Sequence, residues 1–187
     1  AIAKRADLPL LTPTATSGDV DRIGEPVFRL VVSEGNQAAA VAEYAVRTGG
    51  YTRFGIIYPH TAQGTSEAEQ FRAVVESMGG EVVSSQGYQP GVTDFKTQIN
   101  LVKSRSPQAI FLPVSAWDAV QIAPQLRFYN LQVPLFGTSG WDDDLLLRHG
   151  GEYVEGAVFS AAFGLSSLYP ETARFVYTYR RATGTEP

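Results

Sequence analysis

A chain of 187 residues and 20.3 kDa is long enough to bury a real core and suggests one domain or a little more. Its 44% apolar and 18% charged residues are those of a soluble globular protein. The formal charge of −4, with no Lys/Arg cluster, argues against a nucleic-acid or anionic-membrane partner. The absence of cysteine excludes disulfides, thiol nucleophiles and thiolate metal sites; no run reaches the length of a membrane span, and no signal-peptide pattern is present.

The opening residues, AIAKRADLPLLTP, read as a helix end running into a strand, the pattern expected of a fragment or processed piece. Leu8 to Leu11 is a short apolar run with a proline near each end, hence a strand that enters and leaves abruptly. A hydroxyl-rich loop, Thr12 to Gly18, follows. Val27 to Val32 is strand-like, and Asn36 to Thr48 carries Ala38, Val41, Ala42, Tyr44 and Ala45 on a helical stripe that stops at Gly49-Gly50.

Arg53 to Tyr88 reads as one strand, loop, helix, strand unit. Phe54, Ile56, Ile57 and Tyr58 suit a buried parallel strand ending at Pro59. Pro59 to Gly64 is expected to be a loop. Ser66 with Glu69 makes a capping-box pattern for a helix with Ala68, Phe71, Val74, Val75 and Met78 on one face. Glu81 begins the next strand.

The scheme then repeats. Thr93 is expected to cap a helix bearing Phe95, Ile99 and Val102; Ala109 to Val114 is a second buried-type strand; and Ser115 with Asp118 forms another capping-box pattern. Pro124 is expected to kink or split the helix that follows. Val133 to Gly137 reads as a strand, Asp142 as a helix cap, Tyr153 to Ala161 as a strand, and Tyr169 to Thr183 as a helix with Phe175, Val176 and Tyr179 inward. Alternating strands and helices predict an α/β fold, a three-layer parallel sheet with helices on both faces.

In such sheets ligands bind outside the carboxyl ends of the strands, beside helix N-termini. The loops 59–66, 113–118 and 137–142 all fall there, and their free N–H groups favour a carboxylate or other anion. Ser66, Ser115 and Asp142 are equally ordinary caps. Trp117 and Trp141 are core residues by default, yet stand close enough to wall a cleft. Asp142 to Asp144 do not share a face and read as a cap with solvated charges rather than a metal site. No nucleophile elbow, phosphate loop, dinucleotide pattern or zinc helix occurs. With 2 histidines and no cysteine, the chain reads as a binder rather than an enzyme, and no catalytic residue, cofactor or metal is assigned.

The segments LPLLTPTAT, VFRLVVSEGNQAAAVAEYA, FGIIYPHTAQGTSEAEQFRAVVESMGGEVV, GVTDFKTQINLVKSRSPQAIFL, RFYNLQVPLFGTSGW, EGAVFS and RFVYTYRRATGTEP occur in an order that resembles the type I periplasmic solute-binding proteins. The likeness is to the branched-chain amino-acid (Leu/Ile/Val) binding group of ABC importers. It implies two α/β lobes closing over a ligand. Residues 1–33 would be a lobe-one piece and crossing segment, 34–158 would form lobe two, and 159–187 would return into lobe one. It also implies a periplasmic or lipid-anchored extracytoplasmic location and an ABC permease as partner.

By the same resemblance, Thr14 and Thr16 would hold a ligand carboxylate. Gln63 stands where amino-acid binders usually have Tyr, and Ser115 where an aromatic residue is common. Ser139 stands where an acid neutralises the ligand's ammonium group. Serine cannot do that; Asp142 is a possible substitute but lies three residues on, and a buried ammonium without a partner is costly. The expected ligand is therefore a small polar or anionic compound rather than a standard amino acid. The departure at Ser139 also motivates an alternative, a non-transport member of the fold acting through a protein partner such as a cell-wall synthase.

Overall fold

The computed structural model describes residues 2–187 apart from Ala162, Ser166 and Leu168. The chain opens with α1 (Ile2–Arg5), β1 (Leu10–Thr12), α2 (Asp19–Ile23) and β2 (Val27–Arg29). β1 and β2 pair in parallel as a two-stranded sheet, Leu10 opposite Val27 and Thr12 opposite Arg29. Both strands are shorter than their apolar runs.

The rest alternates regularly: α3 (Glu34–Arg47), β3 (Arg53–Pro59), α4 (Ala62–Ser77), β4 (Glu81–Tyr88), α5 (Lys96–Lys103), β5 (Ala109–Leu112), α6 (Ala116–Phe128), β6 (Leu135–Gly137), α7 (Asp144–Gly150), β7 (Val158–Phe159) and α8 (Pro170–Thr183). Short 3₁₀ turns lie at Ser139–Trp141 and Gly151–Tyr153. Strands β3 to β7 form one parallel sheet in the order β4-β3-β5-β6-β7. The chain steps from β3 out to β4, returns past β3 to β5, and continues to the far edge. The reversal between β3 and β5 is the topological switch point of the sheet.

β5 explains why its sequence is an unbroken apolar run. Ala109 and Phe111 pack with α3 and α4, whereas Ile110 and Leu112 pack with α5 and α6, so both faces of the strand are covered. Phe71 of α4 stacks on Phe111 at 4.1 Å between ring centroids. Among the described residues no helix is long and apolar enough to cross a membrane.

Several local expectations are corrected. The cap of α4 lies five residues before its capping-box serine: it is Thr61, its Oγ1 accepting the Gly64 N–H at 3.0 Å, and Ser66 lies inside the helix. The cause is tertiary. β3 stays paired with β4 to the Pro59–Tyr88 position and the His60 N–H donates to the Tyr88 carbonyl at 2.7 Å, so Thr61 is the first residue able to turn. At α5 it is Asp94 that accepts the Lys96 N–H, at 2.9 Å, while Thr93 contributes only its carbonyl, to Gln125.

α6 runs through Pro124 without being split. Ala119, Ile122, Ala123 and Leu126 are all buried, and this packing outweighs the lost backbone hydrogen bond. Asp143 rather than Asp142 caps α7, accepting the Leu145 N–H at 2.8 Å. The strand expected over Tyr153 to Ala161 contracts to Val158–Phe159, because Tyr153 lies in a 3₁₀ turn under the Arg127 guanidinium. Of the three side chains expected inward on α8, Val176 is buried, Tyr179 is half-buried and Phe175 is exposed.

Candidate functional site

The carboxyl ends of β3 and β5 both run into prolines, Pro59 and Pro113, and then into the N-termini of α4 and α6. A cavity of about 310 Å³ lies between them, directly at the switch point. Thr61, Gln63, Gly64 and Glu67 border it from α4 and its cap, Ser115 and Asp118 from α6, and Thr138 and Gly140 from the loop after β6. Gly64 is required by close approach: a Cβ there would sit 2.6 Å from the Pro59 carbonyl oxygen. A second, more open cavity of about 690 Å³ shares Thr61 and Gln63 and is bordered by Ser17, Glu34 and His60. Together they form a cleft along the carboxyl edge.

The most unusual group in the cleft is Glu67, which is only 2% exposed. It lies one helical turn after Gln63, on the same side of α4. Burial pushes its carboxyl group up to about 7, partly opposed by hydrogen bonds from Thr138 and Gln63 and slightly reinforced by the charge of Glu34. The other acid in the smaller cavity, Asp118, is already engaged: its Oδ2 accepts the Tyr88 hydroxyl at 2.6 Å. Ser115 Oγ accepts the Asp118 N–H at 3.2 Å, so the serine half of that capping box forms while the acid turns to Tyr88. No Lys or Arg is among the described residues bordering this cavity.

The sequence candidates fall in different places. Gln63 borders both cavities, and Ser115 borders the smaller one. Thr16 donates to Glu34 Oε1 at 2.6 Å, which brings its loop to the rim of the larger cavity, where Ser17 and Glu34 lie. Arg29 steadies this loop by donating to the carbonyls of Thr16 and Ser17 at 3.1 and 2.9 Å. Thr14 is exposed and borders neither cavity.

Ser139 is half-buried between two cavity-lining neighbours, Thr138 and Gly140, and its N–H donates to Gln37 Oε1 at 3.1 Å. Neither indole walls the cavity. Trp117 is 63% exposed on the first turn of α6, and Trp141 is buried in the core beside Phe159. Of the remaining acids, Asp144 pairs with Arg148 at 2.9 Å.

Glu67 was the residue missed by sequence reasoning, and a signal for it exists. The buried stripe of α4 runs Gly64, Glu67, Ala68, Phe71, Val75, so an acid occupies an otherwise apolar face. Sequence alone offers two explanations for such an acid, a short helix whose face begins at Ala68 or a functional carboxyl group. The start of α4 at Ala62 removes the first.

Comparison with known proteins agrees with this architecture. The chain is 26% identical over 154 residues to a Leu/Ile/Val-binding protein homolog of Brucella melitensis, covering 82% of this chain and 42% of that protein. It is 30% identical, with a TM-score of 0.87, to the crystal structure of a putative branched-chain amino acid ABC transporter from Rhodospirillum rubrum, covering 100% of this chain and 54% of that one. A leucine-binding protein from Thermotoga maritima superposes with a TM-score of 0.82 at 25% identity, covering 100% and 53%. The chain therefore spans about half the length of the relatives it matches. The family model described as periplasmic binding protein matches residues 1–187 throughout, and the chain belongs to that family.

Proposed function

We propose that this chain forms part of an extracytoplasmic receptor that binds a small amino-acid-like solute in a cleft and delivers it to an ABC permease. The observation that carries this reading is the cavity at the β3/β5 switch point, set between the N-termini of α4 and α6. Helix N-termini attract a carboxylate, while the buried acid on the same wall suits a positively charged group, so a zwitterion fits better than a bare anion. Relatives named for binding leucine, isoleucine and valine support the same class.

In this reading residues 34–158 form one lobe, and residues 1–33 and 159–187 belong to the other, with Thr16, Gln63, Ser115 and the loop at Ser139 as ligand-facing positions. The separate two-stranded sheet of β1 and β2 supports the division. The work done is binding and release, with no bond made or broken in the solute. The alternative of a cell-wall synthase partner draws no support from these relatives.

The test is thermal unfolding of the full-length polypeptide carrying these residues, against amino acids, amides and small carboxylates. A ligand at a hundred times its dissociation constant adds about 2.7 kcal/mol of stability. A clear upward shift with an aliphatic amino acid, reduced by Thr16→Ala, is the expected result. Silence across the panel removes the reading.

A further inference from the structure

We propose that Glu67 is the acid that receives the ligand's ammonium group, taking the place of a carboxylate at Ser139, so that ligand binding expels a proton from the cleft. The inference rests on the amino-acid reading above and names the residue that makes it workable. Three observations meet at this side chain.

The first is position. Glu67 borders the cavity together with Thr138 and Gly140, the residues on either side of Ser139. The Glu67 carboxyl group therefore shares a cavity wall with the loop that carries Ser139. The second is supply. Asp118 shares the cavity but is committed to the Tyr88 hydroxyl at 2.6 Å, and Glu34, packed nearby on α3, is committed to the Thr16 hydroxyl at 2.6 Å. The third is need. Glu67 has no basic partner among the described residues bordering its cavity, and His60 faces the adjoining one. A carboxylate in that setting is held back by burial and by the charge of Glu34, and an incoming cation relieves both.

The consequence is linkage. With the carboxyl group poised near 7, the empty cleft carries a proton for much of the time at pH 6 and little of it at pH 8. An ammonium group favours the ionised form, so the proton leaves as the ligand enters. A Glu67 that merely tied α4 to the loop at Thr138 would not exchange protons with the ligand.

The experiment is titration calorimetry of the full-length polypeptide with L-leucine at pH 6, 7 and 8, in pairs of buffers of different ionisation enthalpy. The expected result is net proton release that approaches one per ligand at pH 6 and fades by pH 8. Affinity should rise about tenfold between those limits, the ratio of ionised fractions for a group titrating near 7. Glu67→Gln, which keeps the shape and hydrogen-bonding capacity, should abolish both. It should also collapse the preference for L-leucine over 4-methylpentanoate, which lacks the ammonium group.

Leucine binding with proton uptake, or without proton exchange at pH 6, overturns the proposal while leaving the receptor reading intact. So does a Glu67→Gln variant with unchanged leucine affinity and selectivity. Failure of leucine and every other amino acid to bind the unaltered protein removes the receptor reading and this inference with it.

Discussion

The Tyr88 hydroxyl, at the end of β4, donates a 2.6 Å hydrogen bond to Asp118 Oδ2 at the start of α6. It joins an edge strand to a helix from the other side of the switch point. Burial, reinforced by the hydrogen bond and negative charge of Asp118, raises the Tyr88 phenol above its usual range.

Tyr88→Phe removes a hydrogen bond to a charged group and should cost about 1.5–3 kcal/mol in urea unfolding at neutral pH. The native phenol should also resist ionisation. Because the folded-state value is raised, this contribution is fully present below the ordinary value of 10.0 and is lost as pH rises beyond it. A phenolate absorbance titration in which one tyrosine ionises only on alkaline unfolding, and which loses that component in Tyr88→Phe, is the expected outcome.

The two possible caps of α4 separate cleanly by mutation. Thr61→Ala removes the Oγ1 acceptor for the Gly64 N–H and should destabilise the protein by about 1 kcal/mol. Ser66→Ala, at an exposed position inside the helix, should be neutral or stabilising by up to about 0.5 kcal/mol. A loss from Ser66→Ala with none from Thr61→Ala, measured by chemical denaturation, would place the helix start at Ser66 instead.

Ligand-free stability should carry the signature of Glu67. Its folded-state value is raised from 4.5 to about 7, so its contribution is complete below pH 4.5 and disappears as pH climbs through 7. The difference between the native protein and Glu67→Gln should therefore change by about 3 kcal/mol over that window, with the variant gaining at higher pH. Parallel stability curves for the two proteins would mean that the carboxyl group titrates normally.

Gly137 closes β6 against an indole: a Cβ there would lie 2.6 Å from the Trp141 ring. Trp141 is fully buried and cannot swing away freely. Gly137→Ala should cost about 1–3 kcal/mol as an overpacking change. It should also shift the buried tryptophan's fluorescence, while exposed Trp117 continues to report solvent. An unchanged spectrum and unfolding midpoint would contradict the tight contact.

Much of the fold was legible because burial is written into periodicity. Phe54 to Tyr58 and Ala109 to Leu112 are too continuous for a half-wet strand, and each indeed has helices on both faces. The helix stops at Gly49-Gly50 and Gly79-Gly80 were equally plain, since backbone conformation there is a local matter. Caps were less legible. Thr61 and Ser66 are chemically similar, and only the reach of the β3–β4 pairing chooses between them. The same holds for Asp142 and Asp143, where a one-residue choice depends on how the 3₁₀ turn at Ser139–Trp141 ends.

The amino-acid order by itself determined the class of fold, the alternation that makes the sheet parallel, and the edge on which a ligand belongs. These follow from hydrophobic spacing and from helix N-termini, properties of neighbours in sequence. Only the tertiary structure decided which side chains share that edge. It brought Glu67 onto one cavity wall with Thr138 across 71 positions of chain, sent Trp141 into the core and left Trp117 in solvent. Such choices depend on long-range packing of α3 and α4 against β6, where a carboxyl group's burial, and hence its proton affinity, is set by residues far from it in sequence.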